Sequence, residues 1–483
     1  MSIPGLQLPG LSFNSTGVDT TAQSSLQSAP SIRTQSLSAN TEYRFEVPFA
    51  RTLRIKLLTG TAELFGSELA PGREYTFTGL KGAIFTYHGC ELEIYGAVEN
   101  DYVGEETEMG VAANAHFALD EMRQVTATNS NAIGPRVLVV GPEDCGKTSL
   151  MRILTAYAVK MGRQPTVVNL NPREGLLSVP GSLTATTFAD ILDVEEVGGW
   201  GSSPISGPSA VPIKMPLVYH YACGTPDENK AVYKALITRL ALAVTSRFQE
   251  DDEVRQAGCF LDTPGSISSG KGGSYEMIQH IVSEFSVNVI VVLGSERLYK
   301  DMTRLFSAGT SEGDAPVSVV RLAKSEGCVE RDELYMRQLR QAQVRNYFFG
   351  VPSAPLSPYT QMVDFSQISI YKIKSTSGNS SSFNPGADDD DDDYDPSSFG
   401  VSNIYDKVMP SMMLQNALLA ITTASATDSQ ETIRDSSVLG YMYVAEVDEA
   451  KKKLRLLSPV SGRVPGNAVV VGDWPEGIMD LMG

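Results

Sequence analysis

The string Gly141-Pro142-Glu143-Asp144-Cys145-Gly146-Lys147-Thr148 has the spacing G-x-x-x-x-G-K-T. Residues of these types at this spacing bind phosphate. The glycines let backbone N–H groups curl around phosphate oxygens, the lysine reaches the β- and γ-phosphates, and the threonine hydroxyl ligates Mg²⁺. Gly141, Asp144, Cys145, Gly146, Lys147, Thr148 and Ser149 are therefore candidate nucleotide-binding residues, and Thr148 is also a candidate metal ligand. A metal-site carboxylate should stand at the end of a neighbouring strand, at the carboxyl edge where ligands bind. Asp262 closes the run 258–262 and opens Asp262-Thr263-Pro264-Gly265, which makes it the candidate; the alternative is a plain strand-ending turn. At the same edge Asn171 follows the run 166–170. An Asp there could deprotonate a hydroxyl nucleophile, whereas an amide can orient one but cannot take its proton near neutral pH. Arg331, Arg337, Arg340 and Arg345 cluster on a predicted helix that ends at 347–350. Such a cluster suits a phosphate-facing lid, or equally a solvated helix surface.

Elements of fixed type must position these residues. Arg136-Val137-Leu138-Val139-Val140 is a short β-branched run, a buried strand. After the glycine loop, Leu150, Ile153, Leu154, Tyr157, Ala158 and Met161 mark one face of a helix, with Gly162 as its cap. Further strands are predicted at 166–170, 258–262, 287–293 and 317–322, with helices at 230–248, 275–285 and 296–306. That alternation predicts a parallel sheet covered on both faces. Before it, the runs 43–47, 53–57, 74–77 and 91–95 alternate with period two, as in a small β-sandwich, and a helix over 112–125 leads into the loop strand. After it, 441–448 and 453–459 read as a hairpin and 468–471 as a further strand.

The predicted organisation is a multidomain α/β chain. A disordered tail covers 1–39, an N-terminal β-sandwich 40–105, a helical linker 106–130, a P-loop domain 131–350, and a mostly β domain 351–483 with an acidic disordered insertion near 375–398. Residues 198–212 form a Gly/Ser/Pro-rich surface insertion, and Asp388 to Asp393 is an unbroken aspartate run. The net charge of −18 is that of no general nucleic-acid coat, so any RNA contact must be local or indirect. Five scattered cysteines without CxxC spacing predict neither a disulfide framework nor a zinc site, and a reducing compartment. The sequence predicts no membrane span and no secretory signal.

Several strings resemble one family in order along the chain. They are Gly60-Thr61-Ala62-Glu63-Leu64-Phe65-Gly66-Ser67-Glu68-Leu69, Phe85-Thr86-Tyr87-His88-Gly89-Cys90, Gly134-Pro135-Arg136-Val137, Val179-Pro180-Gly181, Pro216-Leu217-Val218 and Val344-Arg345-Asn346-Tyr347-Phe348-Phe349-Gly350. The family is the Clp subunit of the eukaryotic mRNA cleavage-and-polyadenylation factor IA, kin of the RNA 5′-hydroxyl polynucleotide kinases, and the detail is similar to fungal members. The resemblance implies ATP and Mg²⁺ held between the first two domains, with Glu42 and Lys81 at the adenine and Arg331, Arg337 and Arg340 as lid arginines. It implies a nuclear protein whose partners are the larger factor IA subunit that bridges to RNA polymerase II and other 3′-end processing subunits. Two positions depart from the active kinases of that kin. Asn171 stands for their catalytic Asp, and Ser266 for their RNA-stacking aromatic, which is worth about 1–3 kcal/mol per base. The expectation is an ATP-binding structural subunit that has lost kinase turnover; the alternative is an active kinase using another base.

Overall fold

The structure, a computed structural model, describes residues 32–129, 132–196, 198, 200, 216–270, 275–306, 317–352, 354–374, 404–462, 466–478 and 481. The acidic tract, nearly all of the tail and most of the predicted 198–212 insertion lie outside these residues.

The alternating runs near the N-terminus pair into two facing sheets. One holds Arg33–Leu37, Cys90–Gly96, Leu53–Gly60 and Glu74–Phe77 in that order; the other holds Ser67–Glu68, Glu63–Leu64, Lys81–Thr86, Thr41–Glu46 and Asn100–Gly104. Tyr43, Phe45, Ile55, Leu57, Phe77, Leu92 and Ile94 fill the space between them. The sandwich begins earlier than its sequence suggested: Arg-Thr-Gln-Ser-Leu at 33–37 has a tail-like composition, yet pairs antiparallel with 90–94. An edge strand with one solvated face can be that polar.

Helix α1 (Met109–Thr128) is not a loose linker. Met109, Ala112 and Leu119 enter the same core as helix α2 (Lys147–Lys160). The central sheet runs Leu217–His220, Ser182–Thr187, Thr166–Asn169, Cys259–Asp262, Arg136–Val140, Val289–Leu293, Ser318–Leu322. The last five of these strands are parallel, as expected. The first two are antiparallel additions that the alternation of strands and helices did not reveal, so the sheet is mixed. Helices α3 (Lys230–Glu250), α4 (Asp252–Ala257), α5 (Glu276–Phe285) and α6 (Glu296–Phe306) join α2 around the sheet. Helix α7 (Glu333–Phe349) leads into a third domain built on a seven-stranded sheet, in which the predicted hairpin is Val438–Asp448 with Lys453–Ser458.

His220 sits where the central and third domains meet, its ring 5.4 Å from that of Tyr441 and its Nδ1 3.4 Å from the tyrosine hydroxyl. Burial pushes its pKa down to about 3. The folded chain therefore refuses a proton that the unfolded chain accepts below about pH 6.5. Stability from this group is complete above that pH and falls as pH drops toward 3, by up to about 1.4 kcal/mol per pH unit. Melting temperatures at pH 7.5 and 5.5 should differ less in His220→Phe than in the parent; an unchanged difference would refute the assignment.

Candidate functional site

The glycine loop lies at the carboxyl end of the Arg136–Val140 strand and feeds α2. Gly146 caps that helix at φ 90°, and a Cβ there would meet the Cys328 sulfur at 2.9 Å. The left-handed turn and the close approach both require glycine. Lys147 is only 8 % exposed. Its Nζ donates to the carbonyls of Gly141 at 3.1 Å and Pro142 at 2.6 Å. Among the described residues it forms no ion pair with a carboxylate. Its Nζ also lies 4.0 Å from the Cys145 sulfur. A buried ammonium with two carbonyls and a thiol but no carboxylate is suited to an anion.

Thr148 Oγ1 donates to Asp262 Oδ2 at 2.6 Å, and the Thr263 amide donates to Asp262 Oδ1 at 3.0 Å. Parallel pairing sets this geometry, because the Cys259–Asp262 strand lies directly beside the loop strand. Burial pushes the Asp262 pKa up to about 6, with Glu174 adding to the rise, while Thr148 and Lys147 oppose it. A bound divalent cation would hold this carboxylate ionised. Among the described residues no group of three or more His, Cys, Asp or Glu side chains converges on a point. One hydroxyl and one carboxylate suit Mg²⁺, which keeps waters and takes its other oxygens from phosphates.

The loop opens into a cavity of about 560 Å³ between the sandwich and the central domain. Glu42 and Lys81 line it from the sandwich side, and Asp144, Cys145, Gly146, Lys147, Thr148 and Ser149 from the other. The strand Thr41–Glu46 explains the first contribution. Its Tyr43 and Phe45 face the sandwich core, so Glu42, Arg44 and Glu46 face the cavity. Glu42 accepts from Arg44 Nε at 2.5 Å and from the Thr107 hydroxyl at 3.0 Å. Lys81 pairs with Glu46 and lies 5.2 Å from the ring centroid of Tyr335. A triphosphate at Lys147 with its base toward Glu42 and Lys81 would touch both domains.

Three family models match the chain. Residues 36–126 match the N-terminal beta-sandwich domain of polyadenylation factor, 141–350 the P-loop of mRNA cleavage and polyadenylation factor CLP1, and 356–476 the pre-mRNA cleavage complex II protein Clp1. The chain belongs to the Clp1 family. It is 58 % identical over 452 residues to the mRNA cleavage and polyadenylation factor CLP1 of Phaeosphaeria nodorum, covering 93 % of this chain and 95 % of that one. It is 50 % identical over 447 residues to the factor of the same name from Botryotinia fuckeliana, covering 92 % and 94 %. A solved complex of wild-type Clp1p with Pcf11p superposes with a TM-score of 0.80 at 30 % identity, over 92 % of this chain and 98 % of that one. A second, which describes an extended Pcf11p–Clp1p interface and the basis of ATP loss in a glycine-to-arginine mutant, superposes at 0.78 and 29 % identity, with the same coverage.

Not every family-implied residue reaches the cavity. Arg331 does, but from the turn before α7 and not from the helix, which Asp332 caps by accepting from the Tyr335 amide. Arg331 Nε donates to Asp144 at 2.7 Å, and its two terminal nitrogens grip Glu174, each at 2.9 Å. Arg337 points outward and is exposed, and it does not line the cavity. Arg340 turns to the third domain, where it meets Glu476 and the ring of Trp474. Of the three expected lid arginines, Arg331 lines the cavity and Arg337 and Arg340 do not. Asn171 lines the cavity, its Nδ2 3.4 Å from Glu174 Oε1. Ser266 lies in the short 3₁₀ turn Gly265–Ser269; Gly265 and Pro264 line the cavity and Ser266 does not. Sequence reasoning missed Arg44, Glu174, Tyr335 and Gln343, all of which line it. Only Arg44 left a signal, through the outward alternation Glu42, Arg44, Glu46.

Proposed function

We propose that this chain is an ATP-binding structural subunit of the nuclear pre-mRNA 3′-end cleavage and polyadenylation machinery, holding ATP with Mg²⁺ and lacking kinase turnover. The observation that carries the reading is the amide of Asn171 at the cavity edge. Its Oδ1 accepts from the Arg173 amide at 3.2 Å. It offers no proton acceptor of the kind a hydroxyl nucleophile needs. The nearby carboxylates are otherwise engaged, Glu174 by Arg331 and Asp262 by Thr148. The phosphate-binding set is complete beside this edge. Glu42 and Lys81 take the adenine end, Lys147 the phosphates, and Thr148 and Asp262 the metal, while Arg331 stays on Glu174 and Asp144 at the cavity wall. The solved complexes of the related Clp1p with Pcf11p support a partner of that kind, the larger factor IA subunit that bridges to RNA polymerase II, alongside other 3′-end processing subunits.

Incubation with labelled ATP and 5′-hydroxyl RNA tests the reading. No transfer above background is expected. Asn171→Asp should restore little, because positioning dominates phosphoryl transfer and Ser266 supplies no stacking surface. Strong wild-type transfer that Lys147→Ala abolishes would establish an active 5′-hydroxyl kinase instead.

A further inference from the structure

Helix α7 touches all three domains. Near its N-terminus the Tyr335 hydroxyl donates to the Gly79 carbonyl at 3.1 Å in the sandwich. In its middle Gln343 Nε2 donates to the Gly175 carbonyl at 2.8 Å, beside the loop that carries Asn171 and Glu174. Near its end the Tyr347 hydroxyl accepts from the Tyr441 amide at 2.9 Å in the third domain. Tyr335, Met336, Leu339 and Gln343 form one wall of the cavity. Displacing α7 therefore uncovers the cavity along its length.

Besides these bonds, α7 is held by a strap near the C-terminus, residues 472–478. Arg340 is 2 % exposed. Its Nε lies 3.1 and 3.0 Å from the two Glu476 oxygens, and its Nη2 donates to Glu476 at 2.7 Å and to Glu333 at 2.6 Å. The guanidinium stacks 4.5 Å above the Trp474 ring. Trp474 Nε1 in turn donates to the Pro172 carbonyl at 3.1 Å. The indole has a built seat: a Cβ on Gly224 would come 3.1 Å from its ring, and one on Gly181 3.0 Å from the Trp474 carbonyl. The strap is rooted in the third domain, where the Ile478 carbonyl accepts from the Tyr443 hydroxyl at 2.7 Å. One short segment thus grips the cavity wall through Glu476 and the Asn171 loop through Trp474.

We infer that Trp474 and Glu476 are positioning residues that latch α7 and the 171–175 loop over the nucleotide cavity, so that the third domain sets how fast nucleotide leaves. A buried guanidinium that loses a carboxylate loses far more than an exposed one, so removing Glu476, which leaves Arg340 only the exposed Glu333, should loosen α7. Both residues hold the Arg340 guanidinium, Glu476 through its carboxylate and Trp474 through its ring, so their effects should not add. The inference rests on the reading of the cavity as an ATP site.

The test uses the full chain loaded with labelled ATP and chased with unlabelled ATP. Glu476→Gln keeps size and shape while removing the ion pair; Trp474→Phe keeps an aromatic ring beneath Arg340 while removing the Pro172 hydrogen bond and part of the stacking face. Each should release ATP faster than the parent, the first by tenfold or more, and the double variant should be no faster than about the larger single effect. Val444→Ala, in the core of the third domain, should lower the melting temperature and leave release unchanged. Release within twofold of the parent in the folded Glu476→Gln protein would overturn the latch. So would equal acceleration by Val444→Ala, which would show general loosening. A parent chain that binds no ATP would instead overturn the nucleotide reading beneath it.

Discussion

Protein purified without added nucleotide is expected to yield ATP, not ADP, on acid extraction, and Lys147→Ala with Thr148→Ala is expected to yield none. The argument for ATP is chemical. Lys147, Thr148 and Asp262 supply a cation, a hydroxyl and a carboxylate at one point, while the neighbouring edge carries the Asn171 amide. On the proposed reading that this edge lacks a general base, the γ-phosphate should stay in place. The argument for the size of the mutant effect is electrostatic. Lys147 is buried, and removing one partner of a buried, hydrogen-bonded charge pair costs about 2–5 kcal/mol. Every 1.4 kcal/mol is tenfold in affinity, so the lysine alone is worth roughly 30- to 4,000-fold. The Thr148 change adds the loss of a proposed metal ligand. Chromatography of the extract decides the matter: a predominance of ADP, or an empty parent protein, would defeat the idea. Full retention by the double variant would show that the loop is not where the nucleotide is held.

The parts of this site that could be read in the sequence are those in which local pattern and function coincide. Gly141 to Thr148 is a contiguous string whose flanks announce a strand and a helix, and Asp262 ends a run apolar enough to be buried. Glu42 and Lys81 became visible only through family resemblance, because charged residues on alternating strands of a small sandwich ordinarily face water; here a second domain covers them. The Ser182–Thr187 strand was missed because Ser-Leu-Thr-Ala-Thr-Thr has only two apolar residues, and its neighbour Leu217–His220 because a run of four is too short to stand out. Arg340 was misplaced for a different reason. Its partner Glu476 is 136 residues away along the chain. A helix face rich in arginine says that anions are near, and cannot say whether they are phosphates or a carboxylate from another domain.

Loss of nucleotide is also expected to lower the melting temperature and to cost the protein its partner, although no mutated residue need touch that partner. The cavity explains why. Glu42, Arg44 and Lys81 belong to the sandwich, Lys147 and Asp262 to the central domain, and a single ATP would span them. A ligand that contacts both bodies favours their docked arrangement by its differential affinity for docked and undocked states. Bound at about 100 times its dissociation constant it adds about 2.7 kcal/mol. For domains of this size that corresponds to a shift of about 5–10 °C. The nucleotide would add to direct ties between the sandwich and the central domain, where Phe85 shares the core around α2 and the Tyr335 hydroxyl donates to the Gly79 carbonyl. They also include the Tyr157 hydroxyl donating to Glu63, and Glu195, which pairs with Arg73 and accepts from the Thr76 amide at 2.8 Å. A partner that reads the docked pair, as the larger factor IA subunit would, then loses its surface when ATP leaves. Lys147→Ala with Thr148→Ala should melt lower and fail to co-purify the partner, whereas adding ATP to the parent should change neither. Variants that shed ATP yet keep the parental melting temperature and full partner binding would show that the two domains dock without it, and that the nucleotide is a passenger.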